Sequence, residues 1–549
     1  MKIRSKIKYM AMAAIMLLQS CGDFMEEYSQ DLKRVQSVDD LSELLMGECM
    51  LPLSLYESDS YVEISNENFM LLHFMSDELQ ETLIMDDDVD MAKIREKYFP
   101  YFTWQGNCCI DYQGKNSLEN DEDDFWNLAY NRINNCNMVI KACDDLEVSH
   151  PDDLALKERI KGECYYLRAT YYYMLANLYG KPYAPQTAQQ TPCVPIKTSA
   201  NIEDKEYTRN SVAEVYAQIK EDLVQAENIL KNAPAPPQTI YHVGIGAVYI
   251  FHSRIALYMQ DWAEAQRYAE LALADNSVLT DVKNLTANTY PMSRDNKEIL
   301  FSNGASCFGN AIFADPQREN GRYSRYAPTY CVSDNLMELF DDNDARRGSY
   351  ITKDDDVNYG NWTYHKIDNS MESFGTYKTV SDVFCIRTAE AYLNLAEALA
   401  QQGKSTEACR QLDILRKNRI WDVENVNLTD SELITFIREE RERELCFEGH
   451  RWFDLRRYQV DTKYPFSKEI VHTMIPYKLV GYSRVPSEIR YYRLEPNDEA
   501  YTLDIPKTVK DFQPSIGSNP RPERKPFDVV IPDFGDDDDD DDWDDDWDW

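Results

Sequence analysis

With 549 residues, of which 43% are hydrophobic and 12% aromatic, the chain can bury a large core, so global disorder is not expected. Its formal net charge of -38 argues against nucleic-acid binding, because a chain this acidic repels a phosphate backbone. The 13 cysteines show no zinc-binding spacing, and we expect most of them to be buried free thiols. If the chain is exported, one or two disulfides can form, with a connectivity that the sequence leaves open.

The first 21 residues are typical of an export signal. A basic start precedes a short apolar stretch, which is too short to span a bilayer as a helix. The stretch ends in the tetrapeptide LQSC, which resembles a bacterial lipobox, and the acidic residues after it look like a surface-export signal of Bacteroidota lipoproteins. We therefore expect residues 1–20 to be a lipoprotein signal peptide and Cys21 to carry the lipid anchor.

Most of the remaining chain shows apolar residues at the three- and four-residue spacings of helices. Strand-like sequence is sparse, and residues 501–506 are the one candidate strand that we single out. The sequence therefore predicts a mainly α fold. The predicted helices cover residues 125–146, 155–179, 211–232, 243–259, 262–275, 385–401 and 405–419.

Two predicted helix pairs, in residues 253–273 and 396–416, place small residues where the two helices of a pair cross. This pattern resembles tetratricopeptide units. Because the two copies lie far apart in sequence, we expect the array to be interrupted by long loop insertions, roughly at 90–120, 276–384 and 458–500.

The C-terminal residues 536–549 consist of eleven Asp and three Trp. Like charges at this density repel one another, so we expect a disordered tail without a specific metal site.

Four stretches of the chain resemble the SusD/RagB family of nutrient-binding proteins, and they occur in the family's order. The third of them, REERERELCFEGHRWFDLRRY, is the most specific. The chain departs from the family's pattern in its acidic tail, since members usually end shortly after the Asn-Pro of the fourth stretch. The stretches are residues 168–182, 387–403, 438–458 and 501–520.

The resemblance implies that residues 21–535 form one nutrient-binding domain, lipid-anchored on the outer face of an outer membrane. Such a protein captures an oligosaccharide and delivers it to a SusC-like TonB-dependent transporter without breaking a bond. Two alternatives remain open: the same architecture binding peptides, as RagB-like members do, and a surface-anchored glycoside hydrolase. Neither a cofactor nor a metal is expected, because the sequence lacks the usual nucleotide, hydrolase and metalloprotease motifs.

In the third stretch, charged residues alternate with aromatic ones. We interpret this pattern as a partly buried ion network that fixes a chain reversal at Gly449, in preference to a catalytic carboxylate pair. The expected members of the network are Arg441, Glu444, Glu448, Arg451 and Asp454.

A sugar-binding platform needs exposed aromatic rings, because sugars present flat C–H faces that stack on them. Two of the insertions carry three clusters of aromatic residues, at 98–104, 322–330 and 359–364. The alternative is that these rings pack their own loops onto the helices or contact the transporter. The candidate ligand-binding residues are Trp104 and Trp362 first, then Tyr101, Tyr323, Tyr326, Tyr359 and Arg325.

Overall fold

The computed structural model of the chain describes residues 35–532, except 52–54, 58–61, 65–69, 84–88, 116–123, 202, 204, 234–238, 286–288, 304–317, 320–321, 324–328, 354–359, 368–379, 382, 384 and 482. The predicted signal peptide, the predicted lipidation site Cys21 and the predicted acidic tail lie outside the described residues. Among the described helices, none combines the length and the apolar character needed to cross a bilayer.

Helices dominate the described residues, and each predicted helix is present within a few residues of its expected bounds. The helices are Val38–Leu44 (α1), Leu71–Met75 (α2), Val89–Phe102 (α3), Asp124–Asp145 (α4), Pro151–Tyr179 (α5), Val212–Leu230 (α6), Ile245–Tyr258 (α7), Trp262–Asp275 (α8), Asp334–Met337 (α9), Arg346–Ser349 (α10), Thr388–Gln401 (α11), Ser405–Arg416 (α12), Asp430–Leu445 (α13), Arg451–Gln459 (α14) and Lys507–Phe512 (α15).

Local sequence signals explain where these helices begin and end. Ser211 and Glu214 form a reciprocal capping box that satisfies two backbone N–H groups at the start of α6. Helix α5 ends before Gly180, where a Cβ atom would lie only 2.5 Å from the Sγ of Cys193. Only glycine therefore allows the chain to leave α5 so close to its neighbour.

The two tetratricopeptide-like pairs are α7–α8 and α11–α12, and α8 packs against α11 although a long insertion separates the pairs in sequence. The small side chains of Ala265 and Ala269 are fully buried at the crossing. Arg254 of α7 forms a bidentate ion pair with Glu390 of α11, with N–O distances of 2.6 and 2.7 Å. The predicted interrupted array is thus confirmed as one packed unit.

The strands are short, and every named pair is antiparallel. They pair as β1–β2, β3–β7, β4–β10, β5–β6, β8–β9 and β12–β13, with one three-stranded sheet in the order β11–β14–β15. Their bounds are Leu55–Glu57 (β1), Val62–Ile64 (β2), Leu79–Glu81 (β3), Ile299–Phe301 (β4), Arg318–Glu319 (β5), Arg322–Tyr323 (β6), Tyr330–Val332 (β7), Ile351–Lys353 (β8), Trp362–Tyr364 (β9), Ile386–Arg387 (β10), Ile470–Met474 (β11), Tyr477–Val480 (β12), Ser483–Pro486 (β13), Ile489–Leu494 (β14) and Asp528–Val530 (β15).

The insertions therefore hold more regular structure than the sequence predicted. The segment expected to be a loop at 90–120 begins with helix α3, and the insertion at 458–500 holds four antiparallel strands, β11 to β14. The candidate strand at 501–506 is wrong: its Leu503 N–H donates to the carbonyl of Leu178 at the end of α5 instead of to another strand. This contact attaches the fourth family-like stretch to the first.

Candidate functional site

A cluster of buried charges, which we call the ionic hub, joins the insertion at 276–384 to helices α11 and α13. Its centre is Glu444, whose carboxylate accepts hydrogen bonds from Arg387 at 2.6 Å, from Arg419 at 2.9 Å and from Arg346 at 3.0 Å. The Tyr350 hydroxyl donates to the same carboxylate at 2.9 Å. The hub consists of Glu298, Asp344, Arg346, Lys366, Arg387, Arg419, Glu440, Glu444 and Glu448.

The local sequence explains how one helix supplies the acidic half of the hub. Glu440 and Glu444 are four residues apart on α13, so both carboxylates lie on one face of the helix. The chain then reverses through Phe447 and Gly449, whose φ angles are 60° and 75°. This reversal brings Glu448 back to Lys366 and Arg387, at 2.7 and 2.8 Å.

The predicted ion network and its reversal at Gly449 are confirmed, but its members divide into separate groups. Glu444 and Glu448 belong to the hub. Arg441 pairs with Asp454 at 2.7 Å, and Arg451 pairs with Asp77 at 2.6 Å. The residues of this stretch therefore form several separate buried ion pairs, each of which connects a different pair of structural elements.

The two hub carboxylates on α13, Glu440 and Glu444, are ionised in spite of their burial. Burial raises the pKa of Glu440, but the guanidinium groups of Arg346, Arg443 and Arg416 outweigh this effect and lower the pKa to about 2. The pKa of Glu444 is likewise held well below its ordinary value, against the effect of burial, by Arg419, Arg387 and Arg346. These groups serve as fixed anions and do not act as proton donors at neutral pH.

The hub anchors an exposed loop at residues 341–347. Arg346 is fully buried and reaches Asp344, Glu440 and Glu444 below the loop. The next residue, Arg347, points outward: its Nη1 lies 2.6 Å from Oδ1 of the exposed Asp342, and its guanidinium carbon lies 5.3 Å from the ring centroid of Trp362. The buried Arg346 thus fixes the position of the partly exposed Arg347.

The hub also anchors an exposed aromatic residue. Arg419 is fully buried against Glu298 and Glu444, and Trp421, two residues later, is 47% exposed. The Trp421 N–H donates to the Asn343 carbonyl at 3.0 Å, and the Asn343 amide donates back to the Trp421 carbonyl at 2.9 Å. Trp421 and Trp362 therefore border the same loop.

We call this surface the aromatic face. It combines two indole rings with charged and amide groups on a base that is held by buried ion pairs. Trp362 is partly buried on β9, where it packs against a core cluster, and the Nζ of Lys353 lies 6.0 Å from its ring centroid. Such a surface can stack against a flat apolar ligand while hydrogen-bonding to hydroxyl groups at its edge. The face consists of Asp342, Asn343, Arg347, Lys353, Trp362 and Trp421.

The structure corrects the expectation for Trp104. Its side chain is fully buried, its indole N–H donates to the Met75 carbonyl at 2.9 Å, and its ring stacks on His472 at 4.4 Å. Tyr101 is partly buried and packs against the two neighbouring core clusters. The segment that carries both residues is the end of α3 and the turn after it, so Trp104 is part of the core and cannot form a platform.

The other predicted residues have different outcomes. Trp362 lies on the aromatic face, as described above. The backbone of Tyr323 belongs to β6, but its side chain is not among those described, and Tyr326, Tyr359 and Arg325 lie outside the described residues. These four remain predictions, as do the ligand-binding roles of Trp362 and Tyr101.

Trp421 is the residue that the sequence reasoning missed. The signal was available, because a lone Trp in NRIWD follows the end of an amphipathic helix and lies in a mainly polar stretch. Asp422, the next residue, has a φ of 50°, which turns the chain sharply at this point. An aromatic residue in a polar turn is a better candidate for exposure than one inside an apolar run.

Comparisons with known proteins agree with this architecture. The sequence matches the model of the SusD family over residues 285–520, which include the aromatic face. Residues 60–257 match a second model, described as starch-binding associating with outer membrane. A SusD-like protein of Formosa agariphila is 26% identical over 394 residues, which are 60% of this chain and 71% of the relative.

Solved structures share the fold. A SusD-like carbohydrate-binding protein from Bacteroides vulgatus superposes with a TM-score of 0.60 at 21% identity, over 88% of this chain and 98% of its own. A SusD superfamily protein from Bacteroides thetaiotaomicron gives a TM-score of 0.62 at 18% identity, over 88% of this chain and 100% of its own. The mainly α fold predicted from the sequence is confirmed.

Proposed function

The chain belongs to the SusD/RagB family, and from this membership we propose that it is a glycan-binding lipoprotein of the outer membrane, exposed at the cell surface. Cys21 carries the lipid anchor in this proposal, and the bound oligosaccharide passes to a SusC-like TonB-dependent transporter. The observation that carries the binding function is the aromatic face, where Trp421 and Trp362 border one anchored loop.

The chemistry of the face suits a sugar. Its indole rings offer apolar surfaces for the C–H faces of pyranose rings, and stacked rings contribute on the order of 1 kcal/mol each beyond their buried area. The Asn343 side chain, the Arg347 guanidinium and the Asp342 carboxylate stand beside the rings as donors and acceptors for hydroxyl groups. Because buried ion pairs hold the loop from below, little ordering is needed when a ligand binds.

The carboxylates near this face favour binding over hydrolysis. A glycosidase needs a protonated carboxylic acid beside the scissile bond and a second carboxylate about 5–9 Å away. Glu440 and Glu444 are fully buried under guanidinium groups, with lowered pKa values, and Asp342 is an exposed anion paired with Arg347. None of these three fits the role of the general acid.

Calorimetry of single variants tests the assignment of the face. We expect Trp421→Ala and Trp362→Ala each to weaken binding of the wild type's oligosaccharide about tenfold or more, which corresponds to roughly 1–3 kcal/mol. Phe512→Ala is the matched control, since this ring is 84% exposed on α15. Wild-type affinity in both Trp variants would place the binding site elsewhere.

Two further measurements test the rest of the proposal. After long incubation with the bound oligosaccharide, product analysis is expected to show an uncleaved ligand, and release of shorter sugars would support the hydrolase alternative. Extraction in mild detergent is expected to recover a large TonB-dependent barrel with the protein. Binding of basic peptides in place of oligosaccharides would move the assignment to the peptide-binding alternative.

A further inference from the structure

Three thiols that the binding function does not use meet inside the helical core. Cys49, Cys136 and Cys164 are free thiols in the structure; each is fully buried in the same core cluster, and they lie close enough for each to shift the pKa of the others. They come from three different segments: Cys49 ends a π-helical turn at Leu45–Cys49, Cys136 lies on α4 and Cys164 lies on α5. In the described part of the chain, no group of His, Cys, Asp or Glu side chains is arranged to hold a metal ion, so this trio is not a metal site.

The three thiols are not equivalent. Burial raises the pKa of Cys136, but hydrogen bonds from the other two thiols and the nearby guanidinium groups of Arg168 and Arg132 lower it well below its ordinary value. The pKa of Cys49 and that of Cys164 are raised. Cys136 is therefore the thiol that ionises most readily, and the thiolate is the species that attacks a disulfide.

The backbone contacts favour Cys49 as the partner of Cys136. The carbonyl of Glu48, next to Cys49, accepts hydrogen bonds from Arg132 at 2.5 Å and from Asn135 at 2.9 Å, both within about one turn of Cys136. On helix α5, the residue that contacts Cys49 is Tyr171, whose hydroxyl at the end of a long side chain donates to the Cys49 carbonyl at 2.7 Å. Tyr171 lies about two turns beyond Cys164.

We propose that Cys49 and Cys136 are joined by a disulfide in the exported protein and that Cys164 remains a thiol beside them. The inference rests on the proposed function for its compartment, because disulfides persist outside the cytoplasm. The two thiols lose two protons and two electrons, and a disulfide-bonded oxidoreductase of the cell envelope gains them as two thiols. Since the site is buried, the exchange takes place while the chain folds.

The disulfide fastens the N-terminal arm to the body of the protein. Residues 35–51 pack on α4 and α5, and they lead back to the proposed anchor at Cys21. If the protein is anchored at Cys21, a mechanical force between the membrane and the domain is transmitted through residues 35–51. A covalent bond to α4 prevents the arm from peeling away while the helices remain folded.

Peptide mapping without reduction tests the pairing. Trypsin places the three cysteines in separate peptides, residues 35–93, 133–141 and 162–168. In full-length protein from the membrane fraction, alkylated under denaturing conditions, we expect the first two peptides to be linked and the third to carry the alkyl label. A link between 133–141 and 162–168, or an alkyl label on all three, would overturn the proposal.

Refolding the purified chain in a glutathione redox buffer separates this inference from the proposed function. The link is expected there too, whether or not the protein is exported in the cell. Reduction is then expected to lower the melting temperature of the wild type and of Cys164→Ala by about 2–5 °C more than that of Cys49→Ala. Equal shifts in Cys49→Ala and Cys164→Ala would contradict the pairing.

Discussion

Replacing Glu444 by glutamine tests whether the ionic hub supports the aromatic face. The substitution removes one negative charge and nearly preserves the volume of the side chain, so it leaves no cavity. The three guanidinium groups of Arg346, Arg387 and Arg419 then lose their shared anion, and one of the two carboxylate oxygens becomes an amide donor that faces other donors.

The expected cost follows from the burial of these groups. Glu444, Arg346 and Arg419 have no exposed surface. Removing one partner from a buried ion pair costs about 3–5 kcal/mol, because the remaining charge stays buried without its partner. We therefore expect the free energy of unfolding of Glu444→Gln to fall by about that amount at neutral pH.

Urea denaturation followed by circular dichroism measures this loss. Glu432→Gln, an exposed substitution in the first turn of the same helix, is the matched control and is expected to stay within about 0.5 kcal/mol of the wild type. The folded variant is also expected to bind the oligosaccharide less tightly, since the loop at 341–347 and Trp421 share this support. If Glu444→Gln unfolds within 1 kcal/mol of the wild type, the hub does not hold these elements.

Three further predictions address the core, acid stability and anchoring. Trp104→Ala is expected to destabilise the protein by about 3–5 kcal/mol, because it empties a fully buried site; an unchanged urea midpoint would restore Trp104 as a surface candidate. The pKa of Glu440 is about 2 in the folded state, against an ordinary value of 4.5. Its ionised carboxylate therefore adds about 3 kcal/mol to the free energy of unfolding above pH 4.5, and this stabilisation is lost as the pH falls towards 2. Urea midpoints between pH 6 and pH 2 are expected to fall less in Glu440→Gln than in the wild type. Cys21→Ala is expected to abolish labelling by a fatty-acid analogue and to release the protein from the membrane fraction, and persistent labelling would refute the lipobox assignment.

The architecture explains why the charged stretch at 438–458 is so rich in arginine and glutamate. A guanidinium group donates in a plane to two or three carboxylates, so a few such residues connect segments that are distant in sequence. In this protein they connect α13 and α14 to the insertion at 276–384, to α11 and to the loop that carries Asp77. The exposed face is then assembled from the residues adjacent to these anchors.

The sequence alone determined the elements that depend on local pattern. Helix positions follow from the spacing of apolar residues, the end of α5 follows from Gly180, and the reversal at Gly449 follows from a glycine between charged and aromatic residues. The four family-like stretches, together with their order along the chain, indicated the fold. Each stretch can be recognised from the sequence because its pattern is contained within a short segment of the chain.

Only the tertiary structure decided which aromatic rings are exposed. Trp104 and Trp421 both follow a helix end, and only the more polar turn around Trp421 distinguishes the two in the sequence. Trp104 is buried because Met75 and His472, from distant parts of the chain, close around it. Trp421 is 47% exposed because Arg419 and Asn343 hold its backbone at the surface of the part of the chain that the structure describes. Burial depends on such long-range contacts, which are set by the packing of the whole domain.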